Sequence, residues 1–183
     1  MKAIFKIVAI ALVACTSLIS CNNGETLQEY YVANQENGDF ILVDVPTSLI
    51  SQDSKALDEE QKKVLKTVRK INIMAFPLKD DSTTDLQTEK SKITTILASD
   101  DYEELMKVNS DEGNMKLYMR GEEDAIDEVI VFASQDARGF VLARLLGNDM
   151  NISDMMNLAS SIESGDIDVS QFEGVMDVFN DKQ

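Results

Sequence analysis

Histidine is absent from this 183-residue sequence, and its two cysteines, Cys15 and Cys21, both lie near the start. Without imidazole there is no Ser-His-Asp or Cys-His nucleophilic site and no His-ligated zinc. Basic side chains are also scarce, 17 Lys and Arg against 33 Asp and Glu. Nucleic acid is therefore excluded as a partner, because the phosphate backbone demands a basic footprint. Long apolar runs are missing too: the longest, counted generously from residue 7 to 19, falls short of the roughly 20 residues a membrane-spanning helix needs. Neither a Gly-rich phosphate loop nor a dinucleotide fingerprint is present. The two prolines, Pro46 and Pro77, each follow an apolar run and mark its end.

What the N-terminus does contain is a leader. Lys2 and Lys6 precede the apolar run Ile7 to Ala14, which resumes at Leu18 and Ile19. This is the charged and then apolar order of a signal peptide. It ends in Leu18-Ile19-Ser20-Cys21, which resembles the lipobox of bacterial lipoproteins. A small residue before the cysteine lets the peptidase close on the backbone, and the thiol then carries the diacylglycerol. A rival box, Leu12-Val13-Ala14-Cys15, has the same form but follows a shorter apolar run. Cys21 is the expected lipidation site. The expected organisation is a signal peptide over 1–20, a lipidated N-terminus and spacer over 21–24, and one globular domain over 25–183. Several acyl chains, at about 0.8 kcal/mol per buried CH₂, make such attachment effectively permanent. The mature chain would keep no free thiol and no disulfide. Loss of Lys2 and Lys6 leaves 15 basic against 33 acidic groups, a formal charge of −18 that repels anionic headgroups.

Periodicity gives the elements. Leu27, Tyr30, Tyr31 and Asn34 fall at helical spacing before Asn37-Gly38, and Phe40 to Val45 reads as a strand. Leu57, Val64, Leu65 and Val68 share one face of a helix between Ser54 and Arg69, and Ile71 to Phe76 is a second strand. Thr84 with Gln87 has the spacing of a capping box ahead of a helix over 85–98. From Tyr102 the pattern changes to four short runs, Tyr102 to Val108, Met115 to Arg120, Ile126 to Ala133 and Phe140 to Leu146, separated by Gly- and Asp-bearing turns. These form an antiparallel meander, with Gly147 ending the last strand. Ser153 opens a helix to about Ile162, and Ser170 with Glu173 caps a final short one. The expected fold class is α+β, a single mostly antiparallel sheet with helices covering one face.

Several residue groups are candidates for sites. Asp80-Asp81 and Asp100-Asp101 are adjacent acids on turns, where solvated surface is the ordinary reading. The stretches 149–153 and 166–170 have a faint likeness to calcium loops but lack the Gly and Glu required at the sixth and twelfth positions, and the second stays open as a weak cation site against Asp168 and Ser170 capping the last helix. Ser51 with Lys55 and Ser91 with Lys92 have no oxyanion motif nearby. Lys116, Tyr118 and Arg120, with Arg138 and Arg144, place cations and an aromatic on the meander, either as a local basic patch or as partners of the many acids.

The lipobox, the run Tyr102-Glu103-Glu104-Leu105-Met106-Lys107-Val108, the strand Met115-Lys116-Leu117-Tyr118-Met119-Arg120 and the segment Phe140 to Gly147 together resemble the family known as domain of unknown function 4252, over roughly residues 25 to 165. The resemblance implies an envelope lipoprotein of Bacteroidota type, delivered in the usual case to the outer membrane. It implies no activity, cofactor or catalytic residue. The function expected from the sequence is a non-enzymatic binding, accessory or sensing module. It is held at the membrane by Cys21, takes an envelope protein or polymer as partner, uses no cofactor or metal, and offers Lys116, Tyr118 and Arg120 or a sheet edge as its surface. The alternatives are a carboxylate-dependent hydrolase and a weak divalent-cation module.

Overall fold

The computed structural model describes residues 24–48, 59–78, 83–111 and 113–163. The elements run α1 (Leu27–Ala33), β1 (Ile41–Pro46), α2 (Glu59–Thr67), β2 (Val68–Pro77), α3 (Thr83–Leu97), β3 (Glu103–Ser110), β4 (Gly113–Glu122), β5 (Ala125–Gln135), β6 (Gly139–Met150) and α4 (Ile152–Glu163). All six strands pair antiparallel in one sheet of order β1-β2-β6-β5-β4-β3. The α+β class, the single sheet and the meander of its last four strands are as the sequence implies. Pro46 is tolerated because β1 is an edge strand.

Local chemistry fixes the ends of the elements. Thr26 and Glu29 form a reciprocal capping box, which satisfies two amide donors at the start of α1. Thr84 does not cap α3, since the helix already includes Thr83 and the Thr84 carbonyl accepts from the Thr88 hydroxyl inside it. Gly147 does not end β6 either. The strand continues to Met150, and Gly147 lies where β6 passes so close to Thr67 that an added Cβ would sit 2.3 Å from its carbonyl oxygen. The final helix expected after Ser170 lies outside the described residues, as do Ser51, Lys55, Asp80, Asp81 and Cys21.

Each sheet face has its own apolar cluster. On the first face α1 and α3 lay Leu27, Tyr30, Leu86, Ile93 and Leu97 against Met74, Phe140, Leu142 and Ile130. Phe40, Phe76, Phe132 and Phe140 meet there with ring centroids 5.0–6.3 Å apart. Burying each of these large side chains contributes about 1.5–3 kcal/mol. On the opposite face α2 and α4 bring Val64, Leu65 and Met155 against Val129, Met119, Ile126 and Met150. The helix cover expected on one face is that of α1 and α3; the structure adds α2 and α4 on part of the other.

Candidate functional site

The first face is apolar at one end and polar toward the other. Along a single cross-strand row Asp44 on β1 pairs in register with Asn72 on β2, and Asn72 with Arg144 on β6. Asp44 accepts from Tyr31, Asn72 and, at 2.7 Å, Lys70. Desolvation pushes its carboxyl up, but these donors outweigh that and hold it below the ordinary carboxylate value.

Beside this row lies a buried ion pair. Arg144 is 3 % exposed and Glu128 1 %. The Arg144 Nε donates to Glu128 Oε1 at 2.6 Å, and its Nη1 to the Gln28 side-chain oxygen at 3.1 Å. Glu128 Oε2 has no hydrogen-bond donor but faces the Arg120 guanidinium at 3.8 Å. Arg120, half-exposed, thus joins the buried charge to the surface.

At the surface the chain leads into a pocket of about 1080 Å³, lined by the residues just ahead of α1 (Gly24 to Thr26), one side of α3, the turn at 98–102 and Arg120. The α3 wall carries Thr88, Ser91 and Thr95, one above another at helical spacing. Each donates its hydroxyl proton to the carbonyl four residues earlier, so each turns only acceptor lone pairs outward. Glu25, Asp100 and Asp101 add further acceptors, and Arg120 and Lys92 supply the cationic donors. Tyr102 gives a half-buried aromatic wall, its hydroxyl pushed above the ordinary tyrosine value by burial and by the charge of Glu128.

The residues singled out by sequence fall into different places. Lys116 and Tyr118 share a face with Arg120 but bind their own neighbours. Lys116 donates to Tyr118 at 3.2 Å and pairs with Glu104 at 3.0 Å, and the Tyr118 hydroxyl donates to Glu104 at 3.2 Å. Glu104 holds the Lys116 ammonium above its ordinary value, and Lys116 holds the Glu104 carboxyl below its own. Tyr118 is buried in the first cluster. Of the three, Arg120 alone lines the pocket. Arg144 belongs to no solvated patch, because it faces the covered side of β6. Ser91 and Lys92 bond Gln87 and Glu89 respectively rather than each other. Asn151 in the 149–153 stretch caps α4 by accepting from the Ser153 and Asp154 amides. Among the described residues no group of three acidic or cysteine side chains is placed to hold a metal, and no helix is long and apolar enough to cross a membrane. Sequence reading missed the hydroxyl stripe on α3, although the spacing of Thr88, Ser91 and Thr95 displays it. It also missed the Glu128–Arg144 pair, whose signal was one acid and one base, each alternating with inward apolar residues.

No curated protein and no solved structure matches the chain. The match to a family covers residues 30–158, from α1 into α4 and so the whole sheet and all four helices in whole or part, and the chain belongs to the family described as Domain of unknown function (DUF4252).

Proposed function

We propose that this protein is a lipid-anchored envelope module that works by binding, and that the pocket between the segment ahead of α1 and α3 is where it binds. The observation that carries the reading is the chemistry of the lining. It offers acceptors from the three hydroxyls on α3 and from three carboxylates, donors from Arg120 and Lys92, and an aromatic wall from Tyr102. Such a surface suits a polar, hydroxyl-bearing ligand, with the sugar units of an envelope polymer as its chemical class. The ionisable groups behind it are paired with one another, as structural charges are, rather than arranged as nucleophile and base. Gly24 lines the pocket three residues after Cys21, and three residues span at most about 11 Å. Lipidation at Cys21 therefore holds this pocket at the membrane-proximal end of the domain and raises its effective concentration for ligands there.

The test fills the pocket without touching the core. Thr95 and Ser91 are exposed on α3, so Thr95→Trp and Ser91→Trp should abolish retention of solubilised envelope glycans by the immobilised protein while moving the melting temperature little. Retention unaffected by either substitution would remove the pocket from the account. Turnover of those glycans, lost on substituting Asp100 or Asp101, would replace binding with a carboxylate-dependent hydrolase.

A further inference from the structure

The second sheet face has a part that no described helix covers. In register across all six strands run Val43, Ile73, Ala143, Val131, Leu117 and Met106. A parallel row from Ile41 on β1 to Val108 on β3 is equally free of polar side chains. Of these twelve positions Leu117 alone joins the cluster under α2 and α4. Met106 and Val108 are exposed by 39 % and 43 %, and most of the others are half-buried. With strands about 4.8 Å apart, the two rows make an apolar strip about 24 Å long.

We infer that the C-terminal segment, residues 164–183, covers this strip by packing the stripe Phe172, Val175, Met176 and Phe179 against it. The stripe repeats at i, i+3, i+4 and i+7, the spacing of one helix face, and Glu173, Asp177 and Asp181 fall off that face. Ser170 and Glu173 have capping-box spacing at its start. A helix this short, with Gly174 inside it, does not hold in water alone and needs an apolar surface to pack on. The position of the chain supplies one. The α4 helix ends at Glu163 and packs on this same side of the sheet through Met155. From there the eight residues to Gln171 reach up to about 26 Å, enough to run the strip's length of about 24 Å.

Other occupants fit less well. Residues 79–82 are Lys-Asp-Asp-Ser, and in residues 49–58 the apolar pairs Leu49-Ile50 and Ala56-Leu57 are separated by the charged Asp53 at the i+3/i+4 position, which breaks the stripe. A second copy would need about 800 Å² per partner for a stable dimer, whereas two rows give roughly 24 Å by 14 Å, less than half of that.

Disulfide trapping in the full chain tests the contact, with the wild type as control for Cys15 and Cys21. Val131→Cys or Ile73→Cys is combined in turn with Val175→Cys or Met176→Cys on the stripe, and with Glu173→Cys or Asp177→Cys on the opposite side. Under mild oxidation the stripe pairs should close within one chain at least tenfold faster than the opposite pairs. Equal rates for both sets would overturn the inference, as would closure in none of them. Disulfides formed mainly between chains would also overturn it and assign the strip to a second copy.

Discussion

Replacing Arg144 by Met leaves Glu128 as a carboxylate 1 % exposed, with only the 3.8 Å contact to Arg120 in place of its short bond. Removing one partner of a buried pair costs about 3–5 kcal/mol, whereas replacing both by apolar residues of similar size is often neutral. Arg144→Met should therefore lower the melting temperature sharply, and adding Glu128→Leu should restore most of the loss. A single substitution that costs nothing would show that the pair is solvated. Titration gives a second test at this scale. Asp44 lies below its ordinary value, so it contributes stability above its unfolded pKa of about 3.9, lost as pH falls through the folded value. Tyr30 and Tyr31 lie above theirs, raised by burial and then by Glu89 and Asp44, so their contribution holds below an unfolded pKa of about 10 and is lost as pH rises. Melting temperatures should form a plateau between about pH 5 and pH 9 that declines on both sides, with the acid limb reduced in Asp44→Asn and the alkaline limb in Tyr31→Phe. Stability that rises toward pH 3 would contradict this. The inward charges were hard to read from sequence because an ion pair 16 residues apart is set by strand register, which periodicity alone does not give.

Strands and helices were far more legible. The short apolar runs Ile126 to Ala133 and Phe140 to Leu146, cut by Gly-bearing turns, identify the meander, because runs of that length between tight turns pair as hairpins. The end of β6 was misjudged for a physical reason: a glycine in an apolar run signals either a stop or a close approach. Gly147 is the second, with Thr67 across it, and Gly139 combines a φ of +117° with the Phe76 carbonyl 1.9 Å from where a Cβ would stand. Alanine at either position must displace backbone rather than a flexible side chain. Gly139→Ala should cost more than Gly147→Ala, and both more than Gly38→Ala, where nothing lies within 4 Å, as thermal unfolding would show. Equal effects at all three would mean that β6 has room to shift. The α3 pocket wall went unread at this scale because threonine and serine on a helix look like solvated surface until a second element is placed opposite them.

At the scale of the whole molecule, the proposed anchor sets the excess of acids against a short spacer. On the proposed processing and lipidation at Cys21, the formal charge would be −18 and would repel anionic headgroups, while the three residues from Cys21 to Gly24 would keep the pocket near the bilayer. Metabolic labelling with a palmitate analogue should mark the wild-type chain and not Cys21→Ala; unchanged labelling of that variant would move the anchor to Cys15. The binding account meets its most direct test in intact membranes, with a photoreactive residue placed at Ser91 in the pocket wall and, in a separate chain, at Lys63, exposed on α2. Illumination should give a glycan-bearing adduct from position 91 that Thr95→Trp abolishes, and none from position 63. Equal adducts from both positions, or none from position 91, would contradict the claim that this pocket is where the protein binds.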